Sequence, residues 1–130
     1  MKHLAIYDEG QTIEKILKKE KLIDSRFSRK KSLPYGQIKK GDEIYLKISG
    51  GPIVGRAVVD NVLFYENLTP EMLGKLRREY SKDLAMEDNF WLKIGKCKCV
   101  SLIFLKNAGR FVSSVKFKKH DRRSWVILER

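Results

Sequence analysis

The stretch KLIDSRFSRKKSLPYGQIKKGDEIYLKISGG, residues 21–51, decides how the chain is read. Its front half, Ile23-Asp24-Ser25-Arg26-Phe27-Ser28, alternates apolar and polar residues, the period of a strand with one wet face. Two residues apart on such a strand, Asp24 and Arg26 project from the same face. Residues 29–40 form a basic loop punctuated by Pro34 and Gly36. Gly41-Asp42 turns into a second strand, Glu43 to Ile48. There Ile44, Leu46 and Ile48 face one way, and Tyr45 and Lys47 the other. Ser49-Gly50-Gly51-Pro52 makes the next turn.

Working outward, His3 to Tyr7 reads as a first strand. Asp8 or Thr12 can cap a helix whose apolar stripe is Ile13, Ile16 and Leu17, with Lys18 and Lys19 in its last turn, where cations suit the dipole. On the other side, Ile53 to Tyr65 is one long strand. Gly55 within it points to a bulge or a close backbone approach, and a strand of that length bends, as in a small barrel. Thr69-Pro70-Glu71 is a helix start, with Thr at the N-cap, Pro at N1 and an acid in the first turn. The stripe Leu73, Leu76, Tyr80, Leu84 continues that helix. A short helix, Glu87 to Ile94, presents Phe90, Trp91 and Ile94 to the core. Three strands are expected to close the chain: Lys98 to Leu105, Phe111 to Phe117, and Ser124 to Leu128. Asn107-Ala108-Gly109 joins the first two as a turn. The order of elements describes an α+β domain over residues 1–130, a closed or half-closed barrel with helical flanks.

The 130 residues suit one domain, and 42% hydrophobic residues can bury one core. The formal net charge is +12, from 28 Lys and Arg against 16 Asp and Glu. That surplus favours a polyanionic partner such as RNA, DNA or an anionic membrane surface, or serves solubility alone. No apolar run reaches membrane-spanning length, and the apolar patch of MKHLAIYDEG is too short for a signal-peptide core. A cytoplasmic protein is expected. Cys97 and Cys99 are one residue apart and cannot build a disulfide framework, which fits a reducing compartment. Cys97, Cys99, His3 and His120 match no zinc spacing, so no metal and no cofactor is expected. Ser124, His120 and Asp121 stand too close in sequence for a catalytic triad.

Taken in order, these residues resemble the ASCH domain of the PUA-like superfamily. The matching residues are Ile16-Leu17-Lys18 and Lys21, then Asp24-Ser25-Arg26, Gly41-Asp42, and Lys47-Ile48-Ser49-Gly50-Gly51. The likeness covers nearly the whole chain. It is strongest to a bacterial or archaeal branch with an SRFS strand, a K-x-SGGP turn and a DRRSWV strand, here Ser25 to Ser28, Lys47 to Pro52 and Asp121 to Val126. The resemblance implies a PUA-like barrel of about six mixed strands with flanking and inserted helices. It also implies RNA binding or action on nucleotides. One ASCH enzyme group removes the acetyl group of N4-acetylcytidine with a Lys, a Thr and a Glu. Lys21 matches that Lys. The Thr position falls on Asp24, with Ser25 adjacent, and Glu79 and Glu87 are both candidates for the Glu. Other members resemble ribonucleases.

The candidate site follows from both readings. Lys21, Asp24, Arg26, Arg29 and Lys47 converge if the two strands lie side by side. Lys and Arg neutralise phosphates, Arg with two parallel bonds, and Asp24 orients Arg26 or accepts from a base or sugar donor. Lys21, with Asp24, is the catalytic candidate, since a Lys beside Arg groups can act as base or nucleophile. The plainer alternative makes Asp24 and Arg26 an ordinary ion pair worth ~0–1 kcal/mol. Ser28 adds a hydroxyl. The backbone amides of Ser49 and Gly50 can receive a phosphate oxygen, or the glycines serve only a tight turn. Lys116, Lys118, Lys119, His120, Arg122 and Arg123, interleaved with Phe117 and Trp125, suit a single strand whose bases stack and whose phosphates pair. Phe117 and Trp125 also fit core positions.

Overall fold

The computed structural model describes residues 1–118 and 122–129. In chain order the elements are β1 (Lys2–Tyr7), α1 (Gly10–Leu17), β2 (Ile23–Ser28), β3 (Glu43–Ile48), β4 (Ile53–Tyr65), α2 (Pro70–Leu84), α3 (Asp88–Lys93), β5 (Cys99–Val115) and β6 (Trp125–Glu129). The strands form one sheet in the order β2-β5-β4-β3-β1-β6. β1 runs parallel to β3, and the other neighbouring pairs are antiparallel. The sheet curls until its first and last strands face each other, a half-closed barrel of the α+β kind.

Alternation along the strands sorts the core. Ala5, Tyr7, Ile44, Leu46, Ala57, Val59, Ile103 and Leu105 point inward with Trp125, and Ile13 and Ile16 of α1 pack into the same cluster. On the opposite face Ile23, Val100 and Leu102 meet Leu76 and Leu84 of α2. Burying a leucine of that kind contributes about 1.5–3 kcal/mol. α2 begins as its sequence demands: Thr69 Oγ1 accepts from Met72 N at 3.2 Å, with Pro70 at the first helical position. A cap of this kind is worth ~1 kcal/mol.

α1 is different. Neither Asp8 nor Thr12 caps it. Glu9 occupies the N-cap and makes no side-chain cap bond, and the helix ends at Leu17, so Lys15 rather than Lys18 or Lys19 lies in its last turn. Burial of Ile13 and Ile16, both 1% exposed, holds a helix this short where a cap does not.

The expected turn at Asn107-Ala108-Gly109 does not form. Cys99 to Val115 is one strand, so two of the three expected C-terminal strands are one. Its partner β4 is long enough to pair with both halves. Between the pairs Arg56↔Gly109 and Val58↔Lys106, two residues of β5 oppose one of β4, and Asn107 takes φ 53°. The polar trio is therefore absorbed as a bulge. A wider one puts Phe111 to Ser114 opposite Val54 alone, which leaves Val112 fully exposed. Gly55 sits where these bends bring backbones together: a Cβ there would lie 2.6 Å from Gly109 O.

Candidate nucleic-acid interface

The barrel closes through Arg26. Its Nε donates to Asp24 Oδ2 at 3.1 Å, and its Nη1 donates to Ile6 O and to Ser124 O, both at 3.2 Å. One side chain on β2 thus ties down β1 and the residue before β6. Its guanidinium lies 4.7 Å from the Tyr7 ring centroid and 5.1 Å from that of Trp125. Asp24 is 4% exposed and also accepts from Tyr7 Oη at 3.0 Å. Burial, reinforced by the Asp24 charge, pushes the Tyr7 phenol far above its ordinary range, so it stays a donor. The pair expected from the alternation exists, but it is buried rather than a surface pair.

Beside it lies Lys21, 2% exposed. Its Nζ donates to Leu84 O and reaches Met86 Sδ at 3.3 Å. Burial pulls its pKa below the usual 10.5, while the Asp24 charge opposes that pull. Lys21, Asp24 and Arg26 line one cavity of about 290 Å³ together with Tyr7, Thr12, Ser25 and Phe90. A smaller polar pocket shares Lys21, Thr12, Met86 and Phe90 and adds Glu87. Of the two candidate acids, Glu87 therefore neighbours Lys21. Glu79 stands on α2 at 3.9 Å from Lys75 and lines neither space.

A larger cavity of about 580 Å³ adjoins the first and shares Ile6 and Asp8 with it. Lys47, Ser49, Gly50, Gly51, Phe117, Lys118, Arg122 and Arg123 line it. Lys47 is 4% exposed and donates to Ile48 O at 3.1 Å. The amides of the turn are largely spent: Ser49 N donates to Tyr7 O and Gly51 N to Ile48 O, each at 2.8 Å. Gly50 supplies the positive φ of 72° that the turn needs. The positive charge of this cavity comes from side chains, not from a glycine-rich amide cradle. Phe117 both lines it and packs against Leu4, Ile6 and Ile53, while Trp125 is core, 2% exposed.

β2 and β3 do not lie side by side; β5 and β4 separate them in the sheet. Their charged residues come near one another because the sheet curls, so they line two adjoining cavities rather than one. Ser28 Oγ donates to Lys30 O at 2.5 Å, and Ser28 shares a third space with Arg26 and Ser124. Arg29 is exposed at the start of the loop and lines none of these cavities; its charge reaches Cys97 instead. Lys119, with His120 and Asp121, lies outside the described residues. The sequence reading missed Tyr7, Thr12, Met86 and Phe90. Only Tyr7 left a signal, as the inward position at the end of β1; the others reach the site through packing of α1 and the segment around α3.

A second polar cluster is closed to ligands. Trp125 Nε1 donates to His3 Nδ1 at 3.0 Å, which leaves the proton on Nε2 to donate to Asp42 Oδ2 at 2.9 Å. Asp42 also accepts from Lys39 N at 3.1 Å. Burial drives the His3 pKa below 6.5 although Asp42 opposes it. His3 is 0% and Asp42 2% exposed, so this cluster belongs to the core.

No protein-family model and no curated protein matches the sequence. Solved structures do match. The ASCH protein of Zymomonas mobilis superposes with a TM-score of 0.75 at 10% identity, over 98% of this chain and 87% of that one. The N-terminal domain of Staphylothermus marinus McrB superposes with a TM-score of 0.53 at 15% identity, over 88% of this chain and 76% of that one. The hypothetical protein PH0355 does so with a TM-score of 0.52 at 18% identity, over 85% of this chain and all of that one. The chain thus has the PUA-like fold in its ASCH form.

Proposed function

We propose that this protein is an RNA- or nucleotide-binding module whose groove runs from the Lys21–Asp24 cavity to the Lys47 cavity. The observation that carries it is the charge of the larger cavity. Lys47, Lys118, Arg122 and Arg123 line it, and Asp8 is its one acid among the described residues. Cations gathered in a concavity focus the field on a polyanion. Phe90 and Phe117, partly buried in the walls, offer ring surface beside the cations, as single-stranded ligands need. In this reading Arg26 positions the wall, and Lys47, Lys118 and Arg122 meet phosphates. Filter binding of single-stranded RNA over a salt series tests it. The expected slope of log affinity against log salt is about −2 to −3 for three or four phosphate contacts. Affinity without salt dependence, or none at low salt, overturns it.

A second reading rests on Lys21. A buried amine with a lowered pKa, beside Asp24, Thr12 and Glu87, has the equipment of a general base or nucleophile toward a modified nucleoside or an RNA strand. Incubation with N4-acetylcytidine and with labelled RNA tests it. Turnover that survives Lys21→Ala removes Lys21 from that role.

A further inference from the structure

The cavity beside the Lys47–Gly51 turn has a recessed cation and an exposed cationic rim. Lys47 lines it while only 4% exposed, and among the described residues its ammonium has one acceptor, Ile48 O at 3.1 Å. No carboxylate pairs with it among the described residues. An ammonium carries three donors, and the described residues take up one of these, so donors and charge are left to meet an anion that enters the cavity. Lys118 and Arg122 stand exposed around the same space, and Arg123 also lines it. The turn supplies the Ser49 hydroxyl but has already used the amides of Ser49 and Gly51.

The shape and the charge select among phosphates. An internal phosphodiester carries one negative charge and is flanked by sugars on both sides, which keeps its two free oxygens away from a recessed cation. A phosphomonoester sits on a single stalk, presents three oxygens and carries about −1.5 to −2 at neutral pH. It can reach the recessed Lys47 while Arg122 and Lys118 meet its outer oxygens. We infer, resting on the RNA reading above, that this cavity takes a phosphomonoester, the terminal phosphate of an RNA strand whose adjoining nucleotide enters the Lys21–Asp24 cavity.

The test compares one RNA sequence with a 5′-phosphate, with a 3′-phosphate and with hydroxyls at both ends, by fluorescence anisotropy at low salt. Inorganic phosphate and a nucleoside monophosphate serve as competitors. One phosphorylated end is expected to bind on the order of 10-fold tighter than the hydroxyl form, a preference that shrinks below about pH 6, where the phosphate loses its second charge. In Lys47→Met the ratio is expected to fall toward one. Arg122→Gln, an exposed change that spares the core, is expected to lower it several-fold as well. Equal, salt-dependent binding of all three strands overturns the inference and leaves the groove reading standing. Binding of the monophosphate, displaced by inorganic phosphate, with no binding of any strand overturns RNA as the source of the phosphate. If no probe binds, both fall.

Discussion

Replacing Arg26 by methionine probes the closure of the barrel and, through it, the whole site. Three hydrogen bonds are lost, to Asp24 Oδ2, Ile6 O and Ser124 O. Bonds from a charged donor contribute about 1.5–3 kcal/mol each when removed singly, but they share one side chain and do not add. The larger consequence is Asp24. At 4% exposure it would keep, among the described residues, the Tyr7 hydroxyl as its one hydrogen-bond partner, and stripping one member from a buried ion pair costs about 3–5 kcal/mol. Methionine retains part of the packing between Tyr7 and Trp125, so loss of contact area is a minor part. The expected destabilisation is ~3–5 kcal/mol in urea denaturation. Arg26→Lys is expected to recover little, because a point ammonium cannot serve a carboxylate and two separate carbonyls as the planar fork does. A double-mutant cycle isolates the pair: Arg26→Met with Asp24→Asn should cost less than the sum of the single changes by ~1.5–3 kcal/mol. A loss below ~1 kcal/mol for Arg26→Met, or strict additivity in the cycle, would refute the clamp and return the pair to a surface role.

The other predictions are independent of the clamp. Lys21→Met should leave stability unchanged or raise it by ~1 kcal/mol, since the fold holds an ammonium it would rather discharge. Below 10.5 the unfolded chain keeps a proton that the fold releases early, so wild-type stability should rise with pH through the window just under that value. An identical pH slope in Lys21→Met would contradict this. His3, held neutral by the Trp125 donor, should make stability fall as pH drops below 6.5, by up to ~1.4 kcal/mol per unit. His3→Gln should flatten that slope, and an unchanged slope would place the titration elsewhere. Gly55→Ala should cost ~1–3 kcal/mol by driving a Cβ against Gly109 O, and a neutral result in thermal melting would mean that the β4–β5 bulge relaxes freely. Arg122→Ala should reduce the magnitude of the RNA salt slope by about 0.7 without changing sequence preference.

Much of the fold can be read from short-range chemistry. Period-two alternation placed β2, β3 and β4, and the Thr69-Pro70-Glu71 start and apolar stripe placed α2, because pleat and helical turn repeat within a few residues. The side-by-side projection of Asp24 and Arg26 is of the same kind. What escaped is what pairing over distance decides. The trio Asn107-Ala108-Gly109 carries turn chemistry, yet β4 offers a ladder on both sides of it and the strand runs on. β2 and β3 follow each other in sequence, yet two strands lie between them.

The site divides along the same line. The sequence by itself determined which side chains carry charge, which strand faces they share and that positive charge is in large surplus. Tertiary structure alone decided which of those charges remain for a ligand. Arg26 spends its donors on Asp24 and on the backbone of β1 and of Ser124, because curling of the sheet brings its two end strands together. Lys47, from a strand that reads as half wet, is enclosed by the same curl, and no carboxylate pairs with it among the described residues. Spacing along a chain fixes direction, whereas the availability of a charge depends on what the fold packs against it.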